Sequence, residues 1–553
     1  MNVKNMKLLV PTVCGLIMIV LFCVLPIDAK AISPDPYDDL VNLFSDWRIF
    51  QRPIIHDGVP DYTESAMQRQ HDNLDAYQQR LAQLDTTGWS IPHQVDYMVV
   101  KAEMDGLDFY HRVHRPWQRD PSFYISVFAS PTDVPAREGP VIEGAIDLYL
   151  YSVPLASDQA SALTEQIRAI PAILDQARVN LTGNARDLWV SSIRRMSNQT
   201  NALRSFENRI AGTNAMLDAA VLDAIAATEA FIAWLKHNES DKTGPSGIGK
   251  ENYNWYLKNV HLVPFTWEEE VAIMQRELAR SHAALRLMEH NNRDLPELAP
   301  VADEATYKAN FEAAVNEYMA FLDEDEIVPI REYMLEALLA RMGSFSPPGE
   351  PRGFFTEVNY RDQIVMRTHH YHWLELARIK YEPNNSPIRR AKPLYTMYDG
   401  RAEGLATGME EMMMHAGLLD DKPRAKELIY ILLAQRAARA FGDLMMHANE
   451  ITMDEALEFA AKWTPRGWMP ANSNTVWSEQ HLYLQQPVYG TSYVIGKIEI
   501  ENLLAERALQ LGDRFSLKEF MDDINNAGVI PVSLVRWEWT GQKDATFGLW
   551  STH

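Results

Sequence analysis

The sequence predicts a mostly α-helical protein with few short strands, on three observations. Apolar residues recur at three- and four-residue spacing over long stretches rich in Ala, Leu, Glu and Met, the period of one helix face. Helix-start signals precede several of these stretches. Runs with strand character are scarce.

In chain order the helical stretches are 156–180, 214–237, 266–290, 305–342, 402–417, 423–448 and 453–462. Thr266 with Glu269, and Thr452 with Glu455, have capping-box spacing, in which hydroxyl and carboxylate each satisfy a backbone N–H at the helix start. The strand candidates are 123–128, 148–153 and a short run at 528–534. Breakers cluster at TGPSGIG (243–249), SFSPPGEPRG (344–353) and 381–393. The first two divide the chain into an N-terminal helical portion (32–246), a middle helical layer (247–353) and a C-terminal portion (354–553).

Residues 1–31 follow the order of a secretory signal peptide: Lys4 and Lys7, an apolar run over 8–27, then Ala29-Lys30-Ala31. At about 20 residues the run also has the length of an uncleaved anchor. Pro11 and Pro26 at its ends and the small-x-small site favour cleavage. Both cysteines, Cys14 and Cys23, lie in this segment, so the mature chain has no disulfide, no thiolate nucleophile and no cysteine-ligated zinc. Val13 and Phe22 precede them, whereas lipoprotein processing needs a small residue there. The expectation is an exported protein, periplasmic or extracellular, with no membrane contact after cleavage.

The formal charge is −23, and losing residues 1–31 removes three lysines and one aspartate, leaving −25. Such a surface repels phosphate, which excludes nucleic acid as a partner and suits a soluble enzyme or a binder of small neutral or cationic molecules. There is no P-loop, no dinucleotide-binding glycine fingerprint and no Gly-x-Ser-x-Gly elbow. What remains is chemistry by histidine and carboxylate.

The stretch RTHHYHWLELARIK (367–380) concentrates it. On a helix His369 and His372, three apart, share a face, while Arg367 and His370 turn aside. Zinc bound on a helix takes two histidines about one turn apart and a carboxylate from elsewhere. Glu403, in RAEGLATGMEE, is the nearest supply, so His369, His372 and Glu403 are the candidate metal ligands. The competing reading is a histidine-rich face hydrogen-bonded to neighbouring carboxylates. No His-Glu-x-x-His occurs anywhere in the chain. Asp443 and His447, at i and i+4, are a second candidate, either as a functional couple or as a buried structural contact.

The segments SPIRR (386–390), RAEGLATGMEE (401–411), RAARAFGDLMMHANEITMDEALEF (436–459), PVYGTSYVIGKIEI (487–500) and LGDRFSLKEFMDDINNAGVIPVSLV (511–535) resemble the bacterial family catalogued as domain of unknown function 885. The similarity runs from about residue 247 to the C-terminus, and more loosely before it. It implies a zincin-like helical architecture with a long cleft and an exported, metallopeptidase-like hydrolase. The family's metal motif is His-Glu, two variable residues, then Pro-Gly-His. Aligned here, its last histidine falls on His372, its first on Met366 and its glutamate on Arg367, while Glu403 matches the third ligand. A thioether is a poor zinc ligand beside imidazole, and a guanidinium cannot take a proton from water. The resemblance also places Asp443 and His447 near the pocket, with Tyr493 as a donor toward a developing oxyanion; by helical spacing Tyr489 and Lys497 share the Tyr493 face and line the same cleft.

Two readings follow. In the first, the protein is a diverged member that has lost ordinary zinc-peptidase chemistry and binds a peptide or small molecule in its cleft. In the second, it is an active metal-dependent hydrolase on a rebuilt His369/His372/Glu403 site, with zinc as cofactor and Glu375 or Glu410 as base. The first also expects Arg367 to set a positive charge beside the metal position.

Overall fold

The computed structural model describes residues 36–543. The expected signal segment, its two cysteines and the cleavage site lie outside the described residues. The rest is mostly helix, with two pairs of two-residue strands: an antiparallel hairpin, Ile55–His56 with Val59–Pro60, and a parallel pair, Val127–Phe128 with Ile146–Asp147. No helix among the described residues is long and apolar enough to cross a membrane.

Several predicted helices form nearly as read: Ala215–His237, Trp267–Asn291, Asp399–Ala416, Pro423–His447 and Met453–Trp463. Both capping boxes are made. Thr266 accepts from the Glu269 N–H at 3.3 Å while Glu269 accepts from the Thr266 N–H at 2.8 Å, and Thr452 with Glu455 repeats the pattern. Two predicted helices are each split. Pro171, which has no N–H to donate, stands just inside the second of Ser157–Arg168 and Ile170–Asn180. Glu304–Glu324 is separated from Glu332–Leu339 by a turn in which Glu326 takes a φ of 52°.

The strand candidates shrink. Of 123–128 only the last two residues pair, because Pro121–Tyr124 closes as a 3-10 turn. Of 148–153 none pairs, since Leu148–Leu150 is a 3-10 turn directly after the strand. The 528–534 run is not a strand: Pro531 is the N-cap of the helix Val532–Thr540.

The main core draws on residues from Leu40 to Trp537, and a second packs residues between Tyr62 and Leu235. At the centre of the first, the helices Asp399–Ala416 and Tyr489–Leu511 pack backbone to backbone. A Cβ on Gly404 would collide with the backbone of Gly496, and one on Gly496 with the Gly400 carbonyl. Residues 404 and 496 therefore have to be small, and the first turns of Asp399–Ala416 lie directly against the Tyr489–Leu511 helix.

The parallel strand pair clips the two ends of the segment 129–145 together. The segment lies across the C-terminal helices, where Val134 packs on Tyr398 and Ala402 and the Tyr398 hydroxyl donates to the Ala136 carbonyl at 3.0 Å. Farther along, the Gly139 N–H donates to Gln486 Oε1 at 2.5 Å.

Candidate functional site

Four segments converge beneath this strap. The histidines lie on a broken helix: Gln363–His369, capped by Asp362, and Tyr371–Tyr381 meet at His370, whose ψ is 7°. The break leaves the three-residue spacing effective. The rings of His369 and His372 meet edge to face, 5.1 Å between centroids and 86° between planes. Glu403, in the first turns of its own helix, completes the set, and one ligand atom from each of the three lies within 4.8 Å of the others.

His372 Nε2 lies 3.0 Å from Glu403 Oε2, both side chains being almost wholly buried. The other carboxylate oxygen accepts from the Tyr489 hydroxyl, to which Tyr493 donates in turn at 3.3 Å. Burial alone would lower the His372 pKa, but the charge and hydrogen bond of Glu403 outweigh it and raise it to about 9. Burial would likewise raise Glu403, yet the charge and hydrogen bond of His372 hold it at about 2. The two are an ion pair, imidazolium against carboxylate.

His369 has a different partner. Arg436, fully buried, donates Nη2 to His369 Nδ1 at 3.2 Å and grips Glu410 with two bonds of 2.8 and 2.6 Å. Burial, and then the Arg436 charge, push His369 well below its ordinary pKa, so it is neutral. A guanidinium can only donate, so toward Arg436 Nδ1 presents its lone pair, while Glu410 Oε1 lies equally near, 3.2 Å from Nδ1, and would accept a proton carried there.

This arrangement tests the fit of zinc. The donor types suit it and they converge. A metal on His369 Nε2, however, would require the proton on Nδ1, opposed to the Arg436 N–H, and a metal on Nδ1 would have to displace Arg436. As built, the ion could bind only after His369 turned an Nδ1 proton toward Glu410 and His372 and Glu403 gave up their ion pair.

The cation that bears on the site is thus Arg436, with Arg439 beyond it, and not Arg367 as expected. Arg367 turns away: it donates to Asn359 at 3.0 Å and stacks over Phe311 at 4.5 Å. Met366 packs in the main core. Glu375 is ion-paired to Arg401 at 2.8 Å and Glu410 to Arg436 at 2.6 Å, so both expected bases are held by arginine.

Asp443 and His447 face the start of the Tyr489 helix. Asp443 accepts from the backbone N–H groups of Gly490 and Val488, at 2.7 and 3.3 Å, and His447 Nε2 donates to the Tyr483 carbonyl at 2.9 Å. Their own side chains come only to 3.8 Å. Tyr493 lies under Arg439, 4.3 Å from ring centre to guanidinium. Lys497 points elsewhere, to Glu411 at 2.8 Å and Glu501 at 2.5 Å.

Sequence reasoning missed Arg436, Asp133 and Glu138. Arg436 and Arg439, one turn apart on a helix apolar on every side, were the available signal for the first. Asp133 and Glu138 come from the strap, whose sequence PTDVPAREGP carries no pattern tying it to a site. Burial and the charge of Asp133 push the Glu138 pKa up to about 7, with a further contribution from Glu403. Asp133 is raised too, by burial, against the pull of His372.

Solved structures share the fold. A protein from Shewanella oneidensis described as a "putative lipoprotein of unknown function" superposes with a TM-score of 0.64 at 16% identity, over 91% of this chain and 97% of its own. One from Colwellia psychrerythraea, described as a "putative lipoprotein", gives 0.60 at 13% identity over the same shares. No curated protein matches the chain. The family profile of a bacterial protein of unknown function matches residues 48–346 and 370–538, leaving out 347–369, the stretch that carries Met366, Arg367 and His369. The match spans most of the sequence, and the chain belongs to this family, domain of unknown function 885.

Proposed function

We propose that this chain is an exported protein that binds a peptide or a related small molecule beside His372 and Glu403, and that it has given up the water-activating zinc chemistry its family resemblance implies. One observation carries the reading. The three candidate ligands are already satisfied without a metal, His372 and Glu403 by each other at 3.0 Å and His369 by Arg436 at 3.2 Å. An ion pair between two such ligands has to be broken before either can bind a cation, and its imidazole has to lose a proton. The signal-like N-terminus and the lipoprotein description of the structural neighbours support export. The acidic balance of −23 supports a partner other than nucleic acid.

The second reading is a metal-dependent hydrolase on His369, His372 and Glu403. It is favoured by their convergence within 4.8 Å. It needs a base, and Glu138, its pKa near 7, is better poised than Glu375 or Glu410, which arginines hold. Equilibrium dialysis of the mature protein against acetyl-dipeptides, with and without added zinc, separates the two. Binding that is indifferent to zinc supports the first, and zinc-dependent binding or cleavage supports the second.

A further inference from the structure

Beside the site lies a cavity of about 440 Å³ between the helices Arg186–Ile210 and Asn474–Gln485, roofed by the strap. Its wall holds two polar groups that the protein leaves unanswered. Arg195 makes no hydrogen bond or ion pair among the described residues, and its Nε is buried without a partner. Asp120, which acts on it more strongly than Glu138 does, is committed elsewhere, to the Ser122 N–H at 2.8 Å, Ser192 at 3.1 Å and Gln485 at 2.5 Å. His481, only 1% exposed and stacked on Trp477, likewise has a buried Nε2 with no partner. Leaving a buried donor unmade is unfavourable, and a ligand that accepts from it recovers that cost on binding.

The other charges around the cavity are occupied or negative. Arg137 is paired with Asp147 at 2.6 Å, and Glu479 is paired with Arg439. Glu138 accepts from Thr132 at 2.7 Å, lines this cavity and feels the charge of Glu403. One open guanidinium and one open imidazole suit a monoanion, while Glu138 and Glu479 would repel the second charge of a phosphate monoester.

We propose that this cavity is a subsite for a free carboxylate, with Arg195 as its charge partner and His481 as a second donor, so that a bound peptide lies with its C-terminus here and its preceding residue toward His372 and Glu403. The assignment rests on the peptide-binding reading above and specifies which end of the ligand enters.

The test is calorimetric titration of the mature protein with a panel of acetyl-dipeptides as free acids and as C-terminal amides. Wild type should bind acids about tenfold or more tighter than amides, in line with one charge-assisted bond. Arg195→Gln should abolish that preference, and Arg195→Lys should keep part of it, which also guards against a folding artefact in the first variant. Equal binding of acids and amides by wild type, or a preference that survives in a folded Arg195→Gln protein, overturns the subsite while leaving peptide binding intact. If neither form binds wild type, the peptide reading itself falls and the subsite falls with it.

Discussion

Asp443 holds the first turn of the helix that carries Tyr489: its carboxyl accepts from the Gly490 N–H at 2.7 Å and from the Val488 N–H at 3.3 Å. The first N–H groups of a helix have no partner within it, and these are buried too deeply for water to serve. Gly490 allows the approach, since a Cβ there would lie 2.9 Å from the Asp443 Cβ. Tyr489 then meets Glu403, so a residue outside the triad orients one member of its hydrogen-bond shell.

Asp443→Ala should therefore lower stability by about 2–4 kcal/mol, the cost of leaving two buried N–H groups unmade. Asp443→Asn, which offers one acceptor oxygen, should fall between. Denaturant melts of both variants check this. Melts that coincide with wild type, with ligand binding lost, would make Asp443 a direct participant in the site.

Gly496→Ala should cost about 1–3 kcal/mol, the usual range for overpacking, because its Cβ would strike the Gly400 carbonyl and push the two central helices apart. The same displacement would draw Tyr489 off Glu403. Thermal melts read the first effect, and the near-ultraviolet signal of the buried tyrosines reads the second.

A pH effect follows from Glu411, which accepts from Arg280 at 2.7 and 2.9 Å and lies 2.8 Å from Lys497. Burial alone would raise its pKa, but the Arg280 bonds and then the Lys497 charge outweigh it and hold it at about 2. A carboxyl depressed in the folded state contributes stability above its unfolded pKa, and loses it as pH falls toward the folded value. Glu411→Gln should thus be less stable than wild type by roughly 2 kcal/mol at neutral pH, with the gap closing from about pH 4.5 toward pH 2. A gap constant over that range would mean the pair contributes nothing through charge.

Local pattern made part of this structure legible and long-range contact hid the rest. The helix read as 423–448 is Pro423–His447, because its apolar period is uninterrupted and its start is marked by proline. The run GVIPVSLV looks like a buried strand by composition, but Pro531 cannot donate to a ladder and instead opens a helix. The approach of His369, His372 and Glu403 could be anticipated from spacing and motif. The partner of His369 could not: Arg436 is 67 residues away, and nothing in either segment states that they meet. The strap is the same case, since Asp133 and Glu138 reach the site through a chain reversal set by two paired residues at each end.

Arg436 is the residue whose removal should do most to restore metal binding. Arg436→Gln takes away a unit charge beside the metal position, a few kcal/mol for a dication about 5 Å away even at an effective dielectric of about 20. It also lets His369 Nδ1 carry the proton that metal binding at Nε2 requires. Zinc affinity should rise by one to several orders of magnitude, roughly tenfold for each 1.4 kcal/mol. Because the variant leaves Glu410 unpaired, Arg436→Gln with Glu410→Gln is the better-folded comparison, and it should show the same gain. Competition with a zinc-sensitive dye measures both.

His369, His372 and Glu403 are satisfied by one another and by Arg436 without a metal. Elemental analysis of the wild-type mature protein, purified with zinc present and then dialysed free of it, reads this at its source. The expected result is well under one zinc per chain, unchanged in His369→Ala and His372→Ala. One zinc per chain, lost in either variant, would contradict it and make His369, His372 and Glu403 a working metal centre.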